Sequence, residues 1–125
     1  MPKFTFERIK ALGPGQYKIL QLEIDGIKQL DKFAKDLKGT SYEEEYLQLL
    51  TWLEYYTQSG DIGYNKIKEL KKSNNDPIKE YEFRTTNLRF YAVKGETGKI
   101  IVLCGYKKDQ TKDINSFRAL KKQIF

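Results

Sequence analysis

The sequence predicts an α+β domain: an N-terminal strand able to pair as a hairpin, a two-helix hairpin, an antiparallel three-stranded meander and a C-terminal helix. Three observations carry that prediction. Apolar residues recur at helical spacing between Ile27 and Tyr56 and again after Asp113. Alternating or wholly apolar runs suited to strands gather between Glu80 and Tyr106. Helices and strands are therefore segregated along the chain, which marks α+β rather than a wound parallel sheet.

Each element has its own signal. Gly13-Pro14-Gly15 is a turn, and after it Leu20, Leu22 and Ile24 alternate with Gln21 and Glu23, so Tyr17 to Ile24 reads as a strand. The segment Phe4 to Leu12 can pair with it. Asp25 is placed to cap a helix in which Ile27, Leu30, Ala34 and Leu37 share a face, and Gly39 ends it. Ser41 and Glu44 have capping-box spacing for a second helix, with Tyr46, Leu49, Leu50, Leu53 and Tyr56 inward and Glu43, Glu45 and Glu54 outward. Such a tightly joined pair should lie across a sheet as a helical hairpin.

Lys66 to Lys72 reads as a helical turn burying Ile67 and Leu70, and Asn74-Asn75-Asp76-Pro77 as a loop. The meander strands run Glu80 to Thr85, Leu88 to Lys94 and Lys99 to Tyr106, the last two joined by Gly95-Glu96-Thr97-Gly98. Ile100-Ile101-Val102-Leu103-Cys104 is apolar on both faces, as a central strand requires. Asp113 is read as the cap of a final helix that turns Ile114, Phe117, Leu120 and Ile124 inward.

The 125 residues fit one domain, residues 1–125, and 39% of them are apolar, enough for a core without disulfides or metal. One cysteine, Cys104, favours a reducing compartment and reads as a core thiol. No signal-peptide pattern or membrane-spanning run is present, so a cytoplasmic protein is expected. Residues 1–63 hold 8 Lys/Arg against 10 Asp/Glu, whereas residues 64–125 hold 15 against 7, so the net +6 belongs to the second half. That half is built to meet a polyanion.

Histidine is absent, which removes the usual general base and every Ser-His or Cys-His arrangement. No Walker-type loop occurs either, and no metal or cofactor is expected. What remains is cationic and aromatic. Side chains alternate across a strand, so Glu80, Glu82 and Arg84 share one face, read as open, while Tyr81 and Phe83 turn toward the helices. Arg89 and Tyr91 are placed on the open face too, and Gly105-Tyr106-Lys107-Lys108 delivers cations where the sheet ends. Lys112 follows, and Lys68, Lys71 and Lys72 precede the meander. Arg, Lys and Tyr on an open sheet can hold phosphates and stack bases. Lys71, Lys72, Lys121 and Lys122 read mainly as solvated charges.

The block Tyr81-Glu-Phe-Arg84-Thr-Thr-Asn-Leu-Arg89-Phe-Tyr91, the apolar strand ending in Gly105-Tyr-Lys-Lys108 and the closing helix resemble the RelE/HigB superfamily of bacterial toxins, in particular the phage-type HigB-like branch. The resemblance covers roughly residues 17–125. It implies the toxin of a type II toxin–antitoxin system: a metal-independent, ribosome-dependent mRNA endonuclease (mRNA interferase) that inhibits translation. It also implies mRNA, the ribosome and a cognate helix-turn-helix antitoxin as partners. In such chemistry a 2′-hydroxyl attacks the adjacent phosphate. By resemblance Arg89 and Lys108 would stabilise phosphate charge, Lys107 and Arg84 would assist, and Glu82 would accept a proton. Tyr91 or Tyr106 would stack a base, with Lys112 and Lys71 as further RNA contacts. The chain departs from the pattern at Glu80 and Glu82, where RelE-type enzymes carry lysines. A non-catalytic ParE-like gyrase-binding toxin, or a decayed toxin that retains only antitoxin binding, stands as the alternative.

Overall fold

Asp25-Gly26 decides how the N-terminal third folds. In the computed structural model, which describes residues 1–63, 65–70, 76–96 and 98–125, both residues have positive φ, 49° and 84°. That is the conformation of a tight two-residue hairpin turn, for which Asp-Gly is a preferred pair. Asp25 therefore does not cap a helix; it joins β2 (Lys18–Ile24) to a short β3 (Ile27–Lys28), and its Oδ1 accepts from Lys3 N at 2.8 Å. Strand β1 (Phe4–Arg8) pairs antiparallel with β2, from Phe4 opposite Ile24 to Arg8 opposite Leu20, so the expected hairpin forms.

Helix α1 (Gln29–Leu37) is capped from outside its own sequence. Gln21 on β2 is fully buried, and its Oε1 accepts from Leu30 N at 3.0 Å and Asp31 N at 3.1 Å. Its Nε2 donates to Asp31 Oδ1 at 3.2 Å, so a polar group at the core is satisfied at both ends. Helix α2 (Glu43–Ser59) begins one residue later than the Ser41 and Glu44 spacing suggested, with Tyr42 at its N-cap. The capping box is replaced by bonds within the connecting turn: Thr40 Oγ1 accepts from Tyr42 N at 3.2 Å and Glu43 Oε2 accepts from Gly39 N at 3.0 Å.

Residues 67–70 are a strand, β4 (Ile67–Leu70), antiparallel to β5 (Glu80–Arg84), and not a helical turn. Ile67 and Leu70, three residues apart, face opposite sides of this edge strand and pack one against each core cluster, while Lys68 and Glu69 between them are exposed. The meander continues with β6 (Leu88–Lys94) and β7 (Gly98–Tyr106). Among the described residues seven strands form one mixed sheet in the order β1-β2-β7-β6-β5-β4, with β3 also on β2 and β2 parallel to β7. Gly98 allows that parallel contact, since a Cβ there would lie 1.7 Å from the Lys18 carbonyl oxygen.

A β-bulge between Tyr91 and Ala92 puts Leu103 opposite Tyr91 but Ile101 opposite Ala92. The extra residue on β7 switches its side-chain phase, so Ile101 and then Cys104 and Tyr106 pack on one face while Val102 and Leu103 pack on the other. Helices α1 and α2 cover the first face, where Leu30, Leu37, Leu49, Leu53, Phe83, Leu88 and Phe90 form the larger cluster. Helix α3 (Gln110–Ile124) follows a 3-10 turn over Lys107–Asp109 and covers the second face, where Leu22, Tyr91, Val93, Val102 and Phe117 are buried. Asp113 lies in the first turn of α3 rather than capping it. Among the described residues no helix is long and apolar enough to cross a membrane.

Candidate functional site

The face read as open is closed by α3. Glu80, Glu82, Arg89 and Tyr91 are buried, with Glu82 and Tyr91 fully inaccessible and Arg89 5% exposed. Alternation did put them on one face; what it could not see is that α3 returns across it and supplies charged partners from about forty residues away. Glu80 accepts from Arg118 Nε at 3.1 Å and Nη2 at 2.9 Å and pairs with Lys121 Nζ at 3.1 Å. Lys121 also reaches Asp76 and donates to the Ile78 carbonyl at 2.7 Å. Lys121 is thus a buried anchor of α3, not a solvated charge; Lys122 is exposed, and Lys71 and Lys72 lie outside the described residues.

A second buried network sits at the other end of the same face. Glu82 Oε1 accepts from Gln110 Nε2 at 2.6 Å, while Oε2 lies 3.4 Å from Arg84 Nη1 and 3.7 Å from Arg89 Nε. The last distance is ion-pair range but too long for a hydrogen bond. Among the described residues Arg89 Nε and Tyr91 Oη have no hydrogen-bond partner. Burial pushes the Tyr91 phenol far up, helped by Glu82 and Asp113 and opposed by Arg89. Its ring stacks on Phe117 at 5.7 Å, so it presents no face to a base.

Arg89 is held by the β5–β6 turn, its Nη1 donating to the Leu88 carbonyl at 2.8 Å and to the Thr85 carbonyl. The turn is clamped from across the sheet by Glu45 of α2, which accepts from Asn87 N at 2.8 Å, from Asn87 Nδ2 at 3.0 Å and from the Thr85 hydroxyl. Burial alone would raise the Glu45 carboxyl; the bonds from Thr85, Asn87 and Leu88 outweigh it and hold the pKa below the usual value. Glu45 had been read as part of the solvated face of α2. Spacing within α2 carried no sign of a turn some forty residues on.

The exposed part of the site is cationic. Arg84 is registered opposite Arg89, and Arg89 opposite Gly105. The 3-10 turn is tied to the same sheet end by Lys107 N donating to the Asn87 carbonyl at 2.8 Å. Lys107, Lys108 and Lys112 are exposed, and Arg84 is partly so. Tyr106 goes elsewhere: it faces α1, tilted against Phe33 and Tyr42, with Lys108 Nζ 5.5 Å from its ring centroid. The sheet end therefore brings Glu82, Arg84 and Arg89 together and ties the Lys107 backbone beside them, whereas Lys108 turns its ammonium toward the Tyr106 ring on the α1 side. Lys112 lies on the first turn of α3. The sheet end buries Tyr91 and separates Tyr106. Lys71 lies outside the described residues.

Asp113 is the residue that sequence reasoning assigned to another task. A Cβ on Gly105 would stand 2.0 Å from Asp113 Oδ2, so the carboxyl lies directly over the sheet at the position paired with Arg89. Only glycine leaves that space. Burial raises the Asp113 pKa, nearby Asp109 raises it further and Lys112 opposes the shift. A half-buried carboxyl with a raised pKa over the strand that carries Gly105 opposite Arg89 has the properties of a proton-transfer group. Cys104, by contrast, packs in the α1/α2 cluster, and burial pushes its thiol far up. Comparison of the chain with protein-family models, with curated proteins and with solved structures finds no match.

Proposed function

We propose that this protein is a RelE/HigB-like toxin that cleaves mRNA on the ribosome without a metal, restrained by a helix-turn-helix antitoxin in the cytosol. The observation that carries the proposal is the register that sets Arg84 opposite Arg89 and Arg89 opposite Gly105, over which the Asp113 carboxyl lies, with the Lys107 backbone tied to the same sheet end. In the reaction a ribose 2′-oxygen bonds to the adjacent phosphorus as the P–O5′ bond breaks, the 2′-hydroxyl proton passes to the Asp113 carboxylate, and the departing 5′-oxygen takes a proton from solvent water. Lys107 and Lys108 contact the phosphate as its charge grows, and Arg84 flanks it. Arg89 acts from beneath as a fixed positive field, and Glu82 holds Arg84, Arg89 and Gln110 in position.

Primer extension on message translated in the presence of the purified protein tests this. Cleavage should fall about 10²-fold or more in the K107A/K108A double variant, as for loss of charge-stabilising groups. It should also fall about 10²-fold or more in D113N, whose wild-type rate should rise with pH as the Asp113 carboxyl ionises. A second reading rests on a specific feature: Arg89 is buried and already neighboured by Glu82 and two carbonyls. That arrangement suits a non-catalytic ParE-like gyrase binder or a toxin reduced to antitoxin binding. Intact message with wild-type protein would favour it and end the nuclease assignment.

A further inference from the structure

The opposite end of the sheet holds a second cationic cleft. Lys94 and Lys99 are direct cross-strand partners at the mouth of the β6–β7 hairpin. Like charges so placed destabilise a strand pair. Among the described residues no carboxylate lies within ion-pair distance of either lysine; the nearest pairing, Lys79 with Glu69 at 3.8 Å, leaves both out. Lys99 is packed into an aromatic corner, its Nζ 4.1 Å from the Tyr81 ring centroid and 5.0 Å from that of Tyr56. It donates to the Tyr56 hydroxyl at 2.6 Å. Burial lowers its pKa, Lys94 and Lys79 lower it further, and Glu69 opposes them. A cavity of about 350 Å³ opens over these groups, bounded by Gln16, Tyr17, Tyr56 and the hairpin, with Glu96 as the acidic residue on its wall.

We propose that this cleft binds a phosphomonoester. The charge arrangement favours that chemistry. Lys94 and Lys99 are cross-strand partners with no carboxylate in ion-pair contact among the described residues, Glu69 and Glu96 acting only from farther off. A dianion therefore matches the pair better than the single charge of a carboxylate or a phosphodiester. The Tyr56 hydroxyl, which accepts from Lys99, is free to donate its own proton to a phosphoryl oxygen. The volume admits a phosphate together with a small organic group. The cleft lies at the far end of β6 and β7 from Arg89 and Lys108, and the inference does not depend on RNA cleavage.

The test is a titration of the full chain, with side-chain-labelled lysines observed by NMR. The probes are inorganic phosphate, a nucleoside 5′-monophosphate, the corresponding cyclic monophosphate and the bare nucleoside. Saturable shifts at Lys94 and Lys99 are expected with the first two, about tenfold weaker binding with the cyclic monoanion, and none with the nucleoside. K99Q, which can keep a hydrogen bond to Tyr56, and K94Q, at an exposed position, should each weaken binding about tenfold, whereas K32Q on α1 should not. Tighter binding of the monophosphate than of phosphate identifies a nucleotide or strand terminus as the ligand; equal binding identifies free phosphate. Absence of saturable shifts at Lys94 and Lys99, or unchanged binding in both K99Q and K94Q, overturns the proposal.

Discussion

Glu45 shows how a single side chain on the far side of the sheet sets the geometry of the candidate site. It bonds the backbone and side chain of the turn whose carbonyls hold Arg89, so it is a positioning residue with no contact to the site itself. Glu45→Ala should cost ~1.5–3 kcal/mol in urea unfolding, the range for hydrogen bonds to a charged group. The folded-state pKa of Glu45 is depressed, so its contribution is present above the unfolded carboxylate value and is lost as pH falls through the lower folded value. The wild type should therefore lose stability more steeply than Glu45→Gln at acid pH. Parallel stability–pH curves for the two proteins would mean that the clamp contributes nothing electrostatic. Asp113 makes a related point: its role depends on Gly105 being bare, and neither residue in isolation signals that they meet.

At the scale of elements, α3 is the structure that turns a charged sheet face into an interior. Its apolar stripe of Phe117 with Ile114, Leu120 and Ile124 supplies the burial, and its Arg118 and Lys121 neutralise the carboxylate on β5. Removing one member of a buried pair commonly costs ~3–5 kcal/mol because a charge is left without a partner. Lys121→Met should cost somewhat less, at least ~2 kcal/mol, because Arg118 still holds Glu80. A double-mutant cycle with Glu80→Gln measures the coupling directly. An unfolding free energy for Lys121→Met within about 0.5 kcal/mol of the wild type, the size of an ordinary surface change, would show that α3 docks by its apolar stripe alone.

The whole molecule is a three-layer sandwich whose basic second half supplies β4 to β7 and α3. The exposed cations of its two sheet ends, Lys107 and Lys108 at one and Lys94 at the other, are separated by the length of β6 and β7. If the first end meets a single-stranded RNA, log K should fall linearly with log salt. In the K107A/K108A variant the slope should shrink by about 1.4, the value for two phosphate contacts on a single strand. An unchanged slope would move the polyanion contact to another part of the basic half.

By itself the sequence determined the class of fold, the meander strands and their faces, the second helix and the charge asymmetry. All of these are written in local periodicity and composition. Alternation correctly set Glu80, Glu82, Arg89 and Tyr91 on one face and Phe83 and Phe90 on the other, because a strand has period two wherever it lies. Local reading failed where one dipeptide serves two purposes: Asp25-Gly26 satisfies a helix cap as well as a hairpin turn, and only pairing of Ile27–Lys28 with β2 decided between them. Tertiary structure alone decided which face α3 covers, that Gln21 caps α1, that Glu45 clamps a distant turn and that Asp113 meets Gly105. The physical reason is common to all four. Capping, burial and charge neutralisation are settled by partners on different elements that meet only on folding, whether nine residues apart as Gln21 and Leu30 or forty-one as Glu80 and Lys121, and contacts between elements leave no periodic trace in the chain.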